Sequence, residues 1–493
     1  MTNRKVGLLM PIASLPNKYG IGDFGLETYK FVDLLADTKV DLWQILPLNP
    51  LGYGESPYQP YSSHAMDELY ISLDGLYDLG LIAKPKIKAF NEQFIDYENI
   101  RKYKNDYFLQ AYNNFISKPK VFKELTLEFN EFKKQSWVLE YAIFITFKKQ
   151  NNFICWNLWQ DDYRDFVLDN NQKLLAKHHH EIEYEIFVQF ILFKQFYALK
   201  DYINQHRIEL IGDIPFYVGI DSDDVYFNRQ QFLLNDDGSP SCVAGVPPDY
   251  FSETGQRWGN PIYNWDLMKG DNYAFWLERI NHNTKMYDII RLDHFRAFDT
   301  YWKINSACET AIDGEWVIND GYAFFDLLFN KLPDIKLIAE DLGDIRPEVL
   351  SLRDHYQLKG MRVLQFTLDI NTDNKGIENE VCYSGTHDND TLLTWFENLP
   401  EHYQNEIKHY LHLNGYNYAH VIDNLIKLII DGRSAYRIIP LADILHLAEA
   451  GRINTPGTLG HPNWAWRISD YKATTERFSM LKLMIEENNG QYQ

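Results

Sequence analysis

Asp213, Asp293, Glu340 and Asp388 each stand at or just past the C-terminal end of an apolar run of strand length. Carboxylates gathered on one rim can divide acid, base and nucleophilic work, provided their surroundings push their pKa values apart. Two local patterns supply such a division. Arg291 and Asp293 are two residues apart on one run, so on a strand they share a face. A guanidinium beside a carboxyl keeps it ionised, the state a carboxylate nucleophile needs. Ile338 and Glu340 share a face in the same way, flanked by apolar Leu337 and Ala339. An apolar setting raises a glutamate pKa and keeps the acid protonated for donation. Asp341 is adjacent and could take the same role; spacing alone does not choose between them. A lone acid at a strand end is commonly a helix N-cap or an ion-pair partner, but four at equivalent positions argue for a shared rim.

The elements that would carry these residues follow from the apolar pattern. Eight runs of strand length occur, at 5–12, 40–48, 208–214, 288–294, 335–340, 362–368, 380–385 and 436–442. Most are separated by helical patterns such as 25–38. Near-continuous apolar runs read as parallel strands covered on both faces. Eight alternations predict an α/β fold, a (β/α)₈ TIM barrel, with a doubly wound sheet as the alternative. In a barrel the C-terminal strand ends build the active site, which is where the four acids fall. Two stretches are too long for a simple crossover, and structureless loops of that length are improbable. They are therefore expected to be folded insertions in a single 1–493 catalytic barrel. One, at about 50–205, is mostly helical in pattern; the other, at about 216–285, follows the third strand.

Composition excludes several functions. The chain of 493 residues carries a net charge of −21, which argues against nucleic acid or an anionic membrane as partner. Tyr 33 and Trp 12 supply many flat faces with a polar handle, suited to sugar rings. Cys155, Cys242, Cys308 and Cys382 give neither a disulfide framework nor a Cys-x-x-Cys metal pair. No stretch at the start resembles a secretory leader and no run reaches membrane-spanning length, so a cytoplasmic protein is expected. The run 20–25, GIGDFG, is a literal G-x-G-x-x-G, but seven residues separate it from the first strand's end at residue 12. A dinucleotide site needs it tight against the strand, with an acid at the end of the second strand; Asp41 lies at that strand's start. Three adjacent histidines, His178, His179 and His180, cannot all face one ion on a helix. A GxSxG elbow and a P-loop are absent. No cofactor and no metal are expected.

The chain also resembles a known family, the 4-α-glucanotransferases called amylomaltase or disproportionating enzyme, glycoside hydrolase family 77 of the α-amylase clan. The resemblance runs from GLL at 7–9 and SLP at 14–16 to NWAWR at 463–467. Between them stand WQILPL at 43–48, GYGESPYQ at 52–59, GDIP at 212–215, RLDHFR at 291–296, AEDLG at 339–343 and GTHDN at 385–389. The stretch 243–261, VAGVPPDYFSETGQRWGNP, is the most specific to the family.

The resemblance implies roles by position. Asp293 matches the nucleophile that forms a covalent glucosyl-enzyme, and Glu340 matches the general acid/base, which settles the choice against Asp341 by likeness. Asp388, with His387, matches the carboxylate that binds the sugar's 2- and 3-hydroxyls. Arg291 matches the arginine beside the nucleophile. Asp213 and Tyr58 match residues lining the donor site, and Asn463 one near the glucan path. The loop holding Tyr250 and Phe251 matches one arching over the cleft, with Trp258 in its continuation. Positions 61–70, YSSHAMDELY, depart from the family, which more often has a Phe and an Asn-Pro there.

The expected activity is a retaining transfer of α-1,4-glucan segments from a donor to the 4-hydroxyl of glucose or a glucan acceptor. Retention calls for carboxyls about 5–5.5 Å apart. The expected partners are α-1,4-glucans and maltooligosaccharides; the alternative is an α-glucan hydrolase of the same clan using water as acceptor. The sequence does not set the oligomeric state.

Overall fold

A computed structural model describes residues 4–168, 170–248 and 252–490. Twelve strands are formed among these residues: β1 (Lys5–Leu9), β2 (Leu42–Gln44), β3 (Glu209–Ile214), β4 (Cys242–Val246), β5 (Gln256–Pro261), β6 (Ile289–Leu292), β7 (Thr300–Asn305), β8 (Gly314–Ile318), β9 (Leu337–Ala339), β10 (Gly360–Val363), β11 (Glu380–Tyr383) and β12 (Tyr436–Pro440). Eight of them form one parallel sheet in the order β10-β11-β12-β1-β2-β3-β6-β9. Ile338 of β9 then bridges in parallel to Lys359, beside β10, and Ala339 N–H donates to the Lys359 carbonyl at 2.8 Å. The ring closes, and the (β/α)₈ barrel expected from the eight apolar runs is the fold. The strands are short but buried along nearly their whole length, as a sheet covered on both faces requires.

One strand ends earlier than the apolar pattern predicts. The run 362–368 contributes only its first two residues to the sheet, because β10 ends at Val363, paired with Tyr383. Beyond that rung β11 has ended and no ladder partner remains. The chain turns into the short helix Leu364–Thr367, closed by Leu368 N–H to the Leu364 carbonyl at 2.9 Å.

Between β2 and β3 lie the long helices Tyr97–Ser117, Ser136–Gln150 and His179–Gln205. Ser136–Gln150 is apolar on nearly every side and correspondingly buried. The GIGDFG run is a packing junction here. A Cβ on Gly22 would lie 1.8 Å from the Ile12 carbonyl oxygen, so only glycine fits. Asp23 accepts from the fully buried Lys104 Nζ at 3.2 Å, and the same ammonium donates to the Leu69 and Ile71 carbonyls. Lys104 thereby anchors helix Tyr97–Ser117 to the loop that follows β1.

The segments after β3 and β6 meet in a second, antiparallel sheet ordered β5-β4-β7-β8. It draws β4 and β5 from one loop and β7 and β8 from the next. The two loops flanking the Asp213 and Asp293 strand ends are therefore braced against each other. No helix among the described residues is long and apolar enough to cross a membrane.

Candidate active site

Register places the first three site residues. Asp213 on β3 is directly opposite Arg291 on β6. Arg291 Nη1 donates to both carboxylate oxygens of Asp213 at 2.8 Å and to Asp293 Oδ1 at 3.0 Å. Leu292 of β6 is opposite Ala339 of β9, so Asp293 and Glu340 are the next residues on two adjacent strands, which lie about 4.8 Å apart. Glu340 N–H donates to the Leu292 carbonyl at 3.1 Å, and Phe295 N–H returns to the Glu340 carbonyl at 3.0 Å. His294 takes a left-handed conformation, φ 47° and ψ 47°. That unusual turn aims its N–H at Glu340 Oε2, 2.8 Å away. Leu342 N–H donates to Oε1 at 3.2 Å.

Asp341, the competing acid, is occupied elsewhere. Its carboxylate accepts from Arg353 Nη1 at 2.5 Å and from the Met361 N–H at 2.7 Å. It pins the start of β10 and is almost wholly buried, with 3% of its side chain exposed.

A second cluster faces the first across the strand ends. Tyr58 O–H donates to Asp213 Oδ2 at 2.7 Å, and its ring stacks on His387 at 5.0 Å with an interplanar angle of 17°. Trp464 packs against both rings, at 5.6 and 5.8 Å. His387 Nε2 lies 3.3 Å from Asp388 Oδ2, and Asn454 Nδ2 donates to Asp388 Oδ1 at 2.6 Å. Asp388 is surrounded by protein yet keeps 44% of its side chain open to the cleft. On the other side Trp258 stands edge-on to His294, centroids 5.0 Å apart at 86°.

The electrostatics separate the acids. Burial pushes the Glu340 carboxyl up to about 7; Arg291 opposes this and Asp293 reinforces it. Burial also raises Asp293, to about 6, against the pull of Arg291. Glu340 is pushed higher than Asp293, so of the two it is the one that keeps a proton to the higher pH. Burial works to raise Asp388 too, but His387 and Asn454 outweigh it and hold the carboxyl down at about 2. Burial would lower Arg291, but Asp213 and Asp293 hold it firmly cationic. The rim thus presents a carboxyl beside a cation, a second carboxyl one strand away that holds its proton to higher pH, and a third, opposite, that stays ionised.

Comparison with known proteins gives this arrangement a family. A family model described as 4-alpha-glucanotransferase, glycoside hydrolase family 77, matches residues 10–474. The chain belongs to glycoside hydrolase family 77. It is 37% identical to a 4-alpha-glucanotransferase of Streptococcus pneumoniae over 491 residues, covering 96% of this chain and 95% of that protein. It is 38% identical to one from Clostridium butyricum, covering 95% and 97%. Among solved structures, the amylomaltase of Streptococcus agalactiae in complex with acarbose superposes with a TM-score of 0.93 at 32% identity, covering 99% of each chain. This family 77 chain is an enzyme, a 4-α-glucanotransferase, and α-glucan is its substrate class.

The barrel brings Asp213, Arg291, Asp293, Glu340, Tyr58, His387, Asp388 and Trp258 to one end. Asn463 arrives differently. It is 4% exposed and its amide is spent on Thr455 N–H, Thr458 O and Thr458 Oγ1. It shapes the loop from which Trp464 projects and does not itself point into the cleft. Tyr250 and Phe251 lie outside the described residues. Three residues of the site were given no role by the sequence, although Trp464 lies within the NWAWR run at 463–467. Asn454 and Trp464 reach Asp388 and His387 from a segment after the last strand, and His294 contributes through its backbone. The RLDHFR motif contained His294, but nothing in the sequence marks a left-handed residue there.

Proposed function

We propose that the enzyme transfers glucan segments by double displacement on Asp293 and Glu340. The observation that carries this is the pairing of an Arg291-held carboxylate with a protonated acid one strand away, joined through the His294 N–H. In the first step an Asp293 oxygen bonds to the anomeric carbon of the donor. The carbon–oxygen bond to the leaving glucan breaks, and Glu340 gives that oxygen its proton. In the second step the 4-hydroxyl of an acceptor glucan attacks the same carbon and passes its proton to Glu340. The ester to Asp293 breaks. Two inversions leave the α configuration unchanged, the outcome expected when the two carboxyls lie close together.

Asp388 is proposed to accept hydrogen bonds from ring hydroxyls of the donor sugar. Its carboxyl stays ionised through the working pH range and open to the cleft. Asp213, Arg291 and Tyr58 hold the nucleophile's side of the site, and His387 with Trp464 forms a wall. The occupied carboxylate of Asp341 supports giving the proton transfer to Glu340. The insertions at about 50–205 and 216–285 are read as subdomains of a single barrel. A cytoplasmic location is proposed on the four cysteines, which are all free thiols.

Maltotriose tests the reading. Disproportionation should yield glucose and a ladder of longer maltooligosaccharides, with almost no gain in reducing ends. Asp293→Asn, Glu340→Gln and Asp388→Asn should each lose several powers of ten in rate while staying folded, since such groups act as a unit. A steady rise in reducing ends with no product longer than the substrate would favour hydrolysis instead.

A further inference from the structure

Asp443 lies outside the cleft, in the short helix Leu441–Ile444 that follows β12, and is 1% exposed. Its Oδ2 accepts from Ser384 Oγ at 2.6 Å and its Oδ1 from the Leu392 N–H at 2.7 Å. Ser384 is the residue after β11 and Leu392 opens the helix Leu392–Asn398; both are fully buried. The two donors are thus the two ends of the loop 385–391, which carries His387 and Asp388. A single carboxylate clamps that loop shut from beneath.

Burying a carboxylate is expensive unless it is well bonded, and both donors here are uncharged. Either bond alone could be made by a neutral side chain. A side chain with two polar atoms at this place ties both loop ends at once, and with a carboxylate the two bonds are charge-assisted, short and strong. Inside the loop the bonding is local. Asn389 Oδ1 accepts from Thr386 N–H and Oγ1 at 2.8 and 2.9 Å, and Thr386 Oγ1 accepts from the Asp388 N–H at 3.2 Å. These contacts give the loop its shape but do not fix it to the barrel. Gln365 Nε2 donates to the Asp390 carbonyl at 2.8 Å and Arg452 pairs with the Asp390 carboxylate, so the far side is held as well.

We infer that Asp443 is a positioning residue for the transfer reaction, setting the height and direction of Asp388 through the two ends of its loop. The inference rests on the role proposed for Asp388. A sugar-binding carboxylate must be held to a fraction of an ångström, and a shift of about 1 Å from a remote change can lower a rate about 100-fold.

The test compares Asp443→Ala, Asp443→Asn, Ser384→Ala and Asp388→Asn with the parent enzyme. Disproportionation of maltotriose gives kcat and KM, calorimetry gives acarbose affinity, and a thermal melt gives stability. Ile429→Ala, in a buried helix away from the loop, is the control for lost stability. Asp443→Ala should lower kcat/KM about 100-fold and weaken acarbose, beyond anything Ile429→Ala does at a similar melting point. Asp443→Asn can accept from Leu392 N–H and donate to Ser384 Oγ, so it should restore most of the activity. Ser384→Ala removes one bond and should lose about fivefold, which keeps the test open if Asp443→Ala does not fold. In an Asp388→Asn background, Asp443→Ala should weaken acarbose no further. Parent-like kcat/KM in Asp443→Ala, or in Ser384→Ala, overturns the inference. So does an undiminished effect of Asp443→Ala in the Asp388→Asn background. Full activity in Asp388→Asn by itself would overturn the proposed role of that residue.

Discussion

The backbone N–H of His294, the residue after Asp293, donates to Oε2 of Glu340 at 2.8 Å. The residues proposed as nucleophile and acid are therefore mechanically linked through one peptide unit. Any movement of the Asp293 backbone is felt at the Glu340 carboxyl. The two also interact electrostatically, because the Asp293 charge helps raise the Glu340 carboxyl.

A bell-shaped pH dependence follows. The first step needs Asp293 ionised and Glu340 protonated. Burial raises Asp293 to about 6 and Glu340 to about 7. The rate should fall below about pH 6 as Asp293 gains its proton and above about pH 7 as Glu340 loses its own. The two apparent values belong to the pair. Initial rates of maltotriose disproportionation from pH 4 to pH 9 measure this. With a maltosyl fluoride donor, whose leaving group needs no proton, Glu340→Gln should keep the acid limb and lose the alkaline one. An alkaline limb that survives in that variant would assign it to another group.

The raised Glu340 pKa is also a statement about stability. Its folded value lies above its ordinary value, so between about 4.5 and 7 the folded state binds more protons than the unfolded one. Stability from this group is present at low pH and falls as pH rises through that window. Glu340→Gln removes the slope. The variant should match the parent near pH 4.5 and exceed it at pH 8, by on the order of 3 kcal/mol. Asp341→Asn should do the opposite kind of thing. It weakens the bonds to Arg353 and Met361, lowering stability by about 1–3 kcal/mol, while kcat changes little. Urea titrations of both variants at the two pH values distinguish these outcomes.

The barrel was legible because its strands are buried on both faces and so read as apolar runs. Seven of the eight runs hold a whole strand of the ring, and the eighth, 362–368, overlaps the end of β10. The carboxylates were legible for the same reason, since each follows such a run. Residues 362–368 misled because Leu364 and Phe366 continue the apolar pattern after the ladder partner has ended. The second sheet was illegible: it joins two hairpins from different loops through the pairing of β4 with β7, and pairing across such distances leaves no local periodicity. Asn454 and Asp443 carry no signal of their own. They are ordinary polar residues after β12, and the pairing of β12 with β11 brings that segment beside the Asp388 loop.

The activity should not depend on a metal ion. His178, the first of three adjacent histidines, lies 3.0 Å from the Tyr163 hydroxyl through its Nε2, and His180 packs edge-on against Tyr112. These rings are used in packing and do not converge. The proposed chemistry draws its positive charge from Arg291 and its proton from Glu340, and it calls for no Lewis acid. Prolonged dialysis against EDTA should leave the disproportionation rate unchanged. Loss of rate restored by one added divalent ion would show that a metal takes part.

The last prediction concerns how a sugar is chosen over water. Water exceeds a millimolar acceptor roughly 10⁴-fold, so transfer must be favoured by roughly 5–6 kcal/mol merely to equal hydrolysis. Holding the acceptor hydroxyl against the intermediate can supply that, since positioning is worth up to about 7–11 kcal/mol. The acceptor must then meet a surface that binds a ring without competing for its hydroxyls, and an indole face does this. Trp258 is placed for the role. It sits on β5 beside His294, its Nε1 is fixed by donation to Gln256 Oε1 at 3.1 Å, and its carbonyl accepts from Gln59 Nε2 at 2.9 Å. The ring is thereby held still next to His294, the residue that joins the proposed nucleophile to the proposed acid. Trp258→Ala should lower transfer more than hydrolysis, shifting the ratio of transferred glucose to new reducing ends by about tenfold or more. Trp258→Phe, which keeps an aromatic face, should recover part of the ratio. A ratio unchanged in Trp258→Ala, with both reactions slowed alike, would place the tryptophan in donor binding instead and leave acceptor selection to another wall of the cleft.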